Sequence, residues 1–365
     1  MRSRAKWILK HAIIVLLKYL GVLWLARKAT TQKGFLIIGW HGVSLADEHE
    51  RFRTLFISAE QLERRVQFLN RALKIVTLDE CLIQKEANSI APGQVVLTFD
   101  DGYYNFLKKA VPVLDRYQAP AINYVVSARM LDERSKPNLL LRDCIYRASL
   151  AKLRSFCVTK NISLSPNKAT AKKAAEKKLL AMLDQLPADE KDCFADEVGM
   201  ALGINVSEIR RERFWTSMTT EEVGQLARSN PRISLQLHSH EHINSIELGN
   251  GLGEDLRKCR NAIESASGVD ASDFCYPSGL WAKSTWPALT ENAIRSAVTT
   301  RRGPNLIGTH NFSLRRVMDG GANSQLEFEL EVSGLKWLVH SWLNPKSRTN
   351  PSEKTARYRE SGIRY

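Results

Sequence analysis

None of the six cysteines of this chain stands in a C-x-x-C pair; they lie at 81, 144, 157, 193, 259 and 275. A zinc-ribbon or thioredoxin-like reading therefore has no support. Thiols scattered through a chain of 365 residues suit a reducing compartment better than a disulfide framework. Glycine (20) and proline (12) are too scarce for a collagenous or low-complexity protein. The mean hydropathy of −0.28 and the lack of repeated apolar stretches of about 20 residues exclude a polytopic membrane protein. With 44% hydrophobic and 25% charged residues, wholesale disorder is excluded as well, and one large or two ordinary domains are expected.

Acidic residues are missing from the start of the chain. The first 33 residues hold eight Lys and Arg, and the first acid is Asp47. Residues 344–365 add six Lys and Arg against two acids, so the ends carry +12 of the net +14. The charge calls for an anionic partner. Its distribution, on a near-neutral body and without interleaved aromatics, argues against nucleic acid. Residues 7–26 (WILKHAIIVLLKYLGVLWLA) are long enough to span a bilayer, but Lys10, His11 and Lys18 interrupt them. A lysine near a span centre costs about 3 kcal/mol. On a helical wheel Lys6, Lys10, His11, Lys18, Gly21 and Lys28 share one sector, opposite Ile8, Val15, Leu16, Tyr19 and Leu23. This is the pattern of a basic amphipathic helix over residues 1–33, lying in an anionic membrane interface through residues 1–30. A helix packed on the protein's own core and a single-span anchor are the alternatives. No small-residue cleavage site follows, so a secretory signal is not expected. The location that follows is cytoplasmic, peripheral at the inner membrane face.

Beyond residue 33 the pattern is α/β. Short apolar runs predict strands at 34–40, 74–76, 95–99, 121–126, 233–237, 274–276 and 297–299. Helices are predicted at 58–72, where Ser58 and Gln61 form a capping box, and at 77–83, 104–117, 219–229, 253–267 and 284–295. Such alternation implies a parallel sheet or barrel over 34–322. Residues from about 130 to 217 break it. They read as a helical insertion with helices at 142–156 and 169–186 and a short strand at 156–158. One helix is expected at 323–343, followed by a basic, disordered tail at 344–365.

Two clusters follow predicted strands. The first is Asp100-Asp101-Gly102 after 95–99. Adjacent carboxylates cannot sit in a core unpaired, and the carboxyl ends of strands are where α/β folds keep their sites. Their repulsion is relieved by a cation or by a division of roles; the alternative is a helix N-cap. The second is His238-Ser239-His240-Glu241-His242 after 233–237. Its H-x-x-x-H spacing lets two imidazoles reach one metal once the chain turns, whereas surface histidines in a loop would explain one of the three. One carboxylate with two histidines makes a facial site for a hydrolytic metal with open positions.

Thr98-Phe99-Asp100-Asp101-Gly102 followed by His238-Ser239-x-x-His242 resembles the polysaccharide deacetylase family, the NodB-homology carbohydrate esterases. Phe274-Cys275-Tyr276-Pro277-Ser278-Gly279 resembles the family's third motif. Ala297-Val298-Thr299-Thr300 and Leu314-Arg315-Arg316-Val317 resemble segments after it. Gly39-Trp40-His41-Gly42-Val43 is similar to the upstream Y-H-x-V motif of the branch that includes poly-N-acetylglucosamine deacetylases. The resemblance covers about 34–320 less the insertion. It implies a distorted (β/α) barrel of fewer than eight strands. It also implies a metal-dependent N-deacetylase of an amino-sugar-containing polysaccharide or lipid-linked saccharide, with zinc ahead of other divalent metals as cofactor. By position, Asp101, His238 and His242 would bind the metal and Asp100 would be the general base. His41 would be the general acid, Arg316 would steady the base, and the backbone N–H of Ser278 would help hold an oxyanion. Ile243 in place of proline, Cys275 in place of arginine, Ser278 in place of tyrosine and Trp40 in place of tyrosine depart from the common pattern; none removes a ligand or the base. A non-sugar C–N hydrolase on the same fold and an inactive glycan-binding module are the alternatives.

Overall fold

The apolar run Gly34–Trp40 is buried at every residue and forms strand β1 in a computed structural model, which describes residues 2–132, 135–165, 167–187 and 189–343. Burial on both faces is what an unbroken apolar strand in a parallel sheet requires. Next to it lies β2 (Gln94–Phe99), then β3 (Ala121–Val125), β4 (Ile233–Leu237), β5 (Asp273–Cys275) and β6 (Ser296–Val298), all parallel. The short β7 (Val317–Met318) pairs with β1, and Leu314 just before it bridges to Val298 of β6. One segment thus joins both margins of the sheet, which closes into a distorted barrel of seven parallel staves. The distorted-barrel expectation holds, but with Lys74–Ile75 parallel to β2 and Asn305–Leu306 antiparallel to β1 the sheet has nine strands, more than the fewer than eight expected.

The pleat sorts the core. Phe35 and Ile37 cluster with Val96, Ile122, Tyr124, Cys275, Val298 and Leu314, a set drawn from nearly every stave, as an interior must be. The alternate residues Leu36, Ile38, Val95, Leu97, Leu235 and Phe274 meet the surrounding helices in the larger cluster. Helix 59–72 starts with the Ser58–Gln61 capping box foreseen in the sequence, and Thr77–Glu80, Thr219–Glu222 and Ser324–Glu327 form three more.

Several expectations need correction. Residues 104–117 are not one α-helix; a π-helical turn, Phe106–Ala110, precedes Val111–Arg116. The expected strand at 156–158 lies within helix Leu150–Thr159, since Phe156, Cys157 and Val158 continue a helical run begun by the Ser149 cap. The compact unit Asp132–Ser217 is helical throughout its main elements, with two helices the sequence pattern had not marked, Glu190–Ala201 and Val206–Arg211. The other unit holds the barrel, residues up to Leu131 and from Met218 onward. The helix expected at 323–343 is two, Gln325–Val332 and Leu335–Leu343, parted at Gly334, whose φ is +69° and where a Cβ would come within 2.5 Å of Thr30. The expected tail at 344–365 lies outside the described residues.

The amino-terminal segment is also two helices, Arg2–Tyr19 and Val22–Thr30, bent by 73° at a break containing Gly21 (φ +73°). No single described helix is long and apolar enough to cross a membrane; the bent pair together is, by length and composition. Part of the basic sector meets the body, as the alternative of a helix packed on the protein's own core implies. Lys10 pairs with Glu327, Lys18 lies 2.6 Å from Glu329, and His11 Nε2 is 3.3 Å from Ser324 Oγ. These side chains face helix 325–332 of the body, because that helix supplies the acids that the first 46 residues lack.

Candidate active site

Asp100 continues β2, its N–H donating to the carbonyl of Trp40 on β1 at 2.8 Å. The chain then turns abruptly: Asp101 has φ +80° and Gly102 φ +68°. A Cβ on Gly102 would come within 3.0 Å of Val125, so glycine allows both the turn and the close approach. The Asp100 carboxylate is buried and held by a two-pronged ion pair, Arg316 Nη1 donating to Oδ1 at 2.7 Å and Nη2 to Oδ2 at 2.9 Å. Arg316, in the segment between β6 and β7, also donates through Nε to the Thr299 carbonyl (3.0 Å) and through Nη1 to Thr98 Oγ1 (3.3 Å). Its Nη2 is 3.1 Å from the Cys275 thiol, and its guanidinium lies over the Tyr124 ring. Burial alone would push the Asp100 carboxyl up; Arg316, with His238 and His41 nearby, outweighs burial and holds it below the usual carboxylate range. Asp100 is therefore an anion at neutral pH.

His238 follows β4. Its ring lies in the interior, and Nδ1 is 2.8 Å from the Cys275 carbonyl. A carbonyl only accepts, so Nδ1 carries the proton and the Nε2 lone pair is left facing Asp101 Oδ1 at 3.6 Å. Burial lowers the His238 pKa against the pull of Asp100 and Asp101, which keeps the ring neutral, the form that binds a metal. His242 Nε2 stands 3.4 Å from the same oxygen, and the two rings are 4.9 Å apart at 73°. The turn that brings His242 back passes through positive φ at Ser239 (+67°) and His242 (+60°). It is held by Asp255, whose Oδ2 accepts from the His240 N–H at 3.0 Å, and by Ser127, whose hydroxyl meets His240 Nδ1 at 2.8 Å. The third histidine of the motif thus fixes the loop.

The ligand atoms of Asp101, His238 and His242 all lie within 4.8 Å of one another, a facial N,N,O set. The ligand atoms of Asp100, His238 and Cys275 are likewise within 4.8 Å of one another. There, however, both carboxylate oxygens are taken by Arg316, and burial raises the Cys275 thiol well above its usual range. The first set is the one fit to hold a divalent ion. His41, at the end of β1, has its Nε2 4.0 Å from Asp100 Oδ2, and His41 and His242 are the members of the cluster with side chains partly exposed, 17% and 20%. Ser278 sits on the turn after β5 with φ +58°. Four of the nine non-glycine residues with positive φ among those described, Asp101, Ser239, His242 and Ser278, lie in these segments. Strained backbone concentrates where functional groups must be re-aimed.

The geometry brings together Asp100, Asp101, His238, His242, His41 and Arg316, and places Ser278 at the mouth of the neighbouring stave. Sequence reasoning missed Asp255 and Tyr124 and quoted Thr98 only within a motif, without a role. Cys275 was noted only as a departure from a motif, although its size admits the Arg316 guanidinium.

The polysaccharide deacetylase family model matches residues 88–148, which include β2, the Asp100-Asp101-Gly102 turn and β3. A poly-β-1,6-N-acetyl-D-glucosamine N-deacetylase of Escherichia coli K12 is 31% identical over 100 residues, 27% of this chain. The chain matches only 15% of that relative's length. Among solved structures, the deacetylase PplD of Streptococcus pyogenes aligns over 83% of this chain and 99% of its own, with TM-score 0.54 and 15% identity. IcaB from Ammonifex degensii aligns over 83% and 97%, with TM-score 0.53 and 13% identity. At these identities the structures establish a shared fold.

Proposed function

We propose that this chain is a polysaccharide deacetylase, a metal-dependent hydrolase that removes N-acetyl groups from an amino-sugar-containing polysaccharide or lipid-linked saccharide; the local match of residues 88–148 and the shared fold support the reading. The observation that carries the reading is the facial Asp101–His238–His242 set with an ionised, Arg316-clamped Asp100 beside it. When bound, a divalent metal, zinc by the donor set, supplies a Lewis acid for the amide carbonyl and lowers the pKa of an attacking water. Asp100 accepts the proton of that water. Arg316 holds both Asp100 oxygens, which fixes the base and favours its anion. The Ser278 N–H donates toward the oxygen on which charge develops. His41, on the solvent side of Asp100, delivers a proton to the departing nitrogen. Water is thereby split between the acyl carbon and the amine, giving acetate and a free amino sugar.

Six free cysteines, five of them buried, support a reducing, cytoplasmic setting, and the basic amino-terminal segment supports work at the anionic inner face of a membrane. The test is acetate release by the purified protein, loaded with zinc, from N-acetylated β-1,6-glucosamine oligomers, alongside a panel of non-sugar acetamides. Release from the sugar with metal bound at one per chain is expected. Turnover confined to non-sugar amides, or one metal per chain with no turnover of any substrate, rejects the reading.

A further inference from the structure

Ten of the 21 exposed large apolar side chains among the described residues lie between positions 7 and 25. Scattered single hydrophobes on a surface need no explanation, but a concentration of this kind marks a contact. Trp7, Leu9, Leu16, Tyr19, Leu20 and Trp24 are each more than half exposed. The same two helices also have an inner side: Ile14 and Leu23 are buried against Leu330, and Lys10 and Lys18 are committed to Glu327 and Glu329. Helix 335–343, which packs beside helix 22–30, exposes Trp342 and Leu343 as well. The outward surface therefore presents aliphatic and aromatic groups, while much of the basic sector is turned toward the body.

We propose that the outward face of residues 7–25, with Trp342 and Leu343 next to it, is immersed in the interface of an anionic lipid bilayer, the two helices lying in its plane. This deepens the membrane contact of the preceding reading and does not depend on its chemistry. Indole and phenol rings settle at the headgroup level, and Trp7, Tyr19 and Trp24 supply them. Exposed Lys28, with Nζ 5.2 Å over the Trp24 ring, and exposed Lys33 lie at the end of the second helix, where they reach anionic headgroups. A second copy of the chain is disfavoured on that face, because the exposed Lys28 and Lys33 at its end would meet their like across a twofold axis. A span is disfavoured by the 73° bend, and by the Ile14, Leu23 and Lys10 contacts that extraction from the body would break.

The contrast with attachment through a basic sector is measurable. Full-length protein is floated with vesicles of phosphatidylcholine alone and with 30% phosphatidylglycerol, at low salt and after a wash in 1 M NaCl. Binding is expected to favour the anionic vesicles and to survive the wash. The Leu16→Asp, Leu20→Asp double variant should bind about a hundredfold more weakly while retaining its melting temperature and its hydrolysis of a soluble substrate. Brominated lipids should quench the tryptophan fluorescence of the unaltered protein, a readout that needs no variant. Full release by salt with the double variant unimpaired would place attachment on the basic sector and overturn the proposal. So would absence of binding to both vesicles, a vesicle-independent dimer dissolved by the double variant, or resistance to alkaline carbonate extraction that marks a true span. Loss of hydrolysis with vesicle binding intact would count against the catalytic reading alone.

Discussion

Charge is handled in opposite ways at the barrel mouth and at the amino-terminal helices. Asp100 and Arg316 are 2% and 1% exposed and meet through two parallel hydrogen bonds; neither has water to fall back on. Lys10 and Lys18 are half exposed and each reaches one oxygen of a helix 325–332 glutamate. Breaking a buried pair from one side strands the other charge, at a cost of about 3–5 kcal/mol. Breaking an exposed pair costs about 0–1 kcal/mol, because water replaces the partner. The same chemistry is thus obligatory in one place and adjustable in the other. The proposed base at Asp100 would need the first kind, and a segment proposed to meet a membrane can use the second.

The largest effect expected at the barrel mouth is from Asp101→Ala, which would remove one of the three proposed ligands and leave His238 and His242 to hold an ion on their own. Metal analysis of the purified variant should give well under one ion per chain, with hydrolysis at background. Full metal content would remove Asp101 from the ligand set. Next is Asp100→Asn, which should keep the metal and lose about 10²–10⁴ in kcat, the range for a positioned general base. Near-normal turnover would mean that another group takes the proton.

The buried character of the Asp100–Arg316 pair makes its own prediction. Arg316→Leu alone should lower stability by about 3–5 kcal/mol in denaturant unfolding, since it leaves a buried carboxylate without its cation. Adding Asp100→Leu should recover part of that loss, because two apolar groups replace two charges. Additive losses in the double variant would show that water already reaches the pair, and the contrast with the exposed lysines would fail.

Some of this was legible in the sequence and some was not, for a definite reason. Asp100, Asp101 and His238 stand directly after apolar runs that form β2 and β4, so each cluster could be placed at a strand end, whereas their meeting across β3 and the turn that returns His242 are tertiary facts. Arg316 lies 216 residues from Asp100, and only a likeness between motifs pointed to it. Asp255 gave no signal, since an acid on helix 252–267 has no local pattern tying it to the turn it holds. At the amino terminus the wheel set Leu23 opposite the basic sector, although Leu23 is buried on the body side with Ile14, and offered the basic sector to an anionic surface. The acids that claim it, Glu327 and Glu329, lie more than 300 residues away, and local periodicity carries no information about them. Gly21, counted as part of a continuous wheel, in fact sits at the bend. Likewise Gly334 divides a helix read as one, because its place against Thr30 is a tertiary fact.

The smallest effect tests the exposed side of the contrast. Glu327 has two tasks. One oxygen accepts from the Ser324 N–H at 3.0 Å in the capping box, and the other takes Lys10. Partial burial would raise its carboxyl; Lys10 and the Ser324 contacts outweigh that and hold it at about 2, against an ordinary value of 4.5. A depressed carboxyl stabilises the folded state fully above its unfolded pKa and loses that contribution as pH falls through the folded value. Docking of helix 2–19 should therefore be constant above about pH 5 and weaken between about pH 4.5 and 2. Because the pair is exposed, the loss should not exceed about 1 kcal/mol. Glu327→Gln separates the two tasks: glutamine keeps the capping box but gives Lys10 no charge. Amide exchange over residues 7–19 should then be faster by up to about fivefold at neutral pH, with its acid dependence flattened and the exchange of helix 325–332 little altered. Exchange that rises in helix 325–332 as much as in residues 7–19 would show that the cap, rather than the ion pair, sets the docking. Exchange unchanged in both would show that Ile14 and Leu23 hold the helices without help from charge.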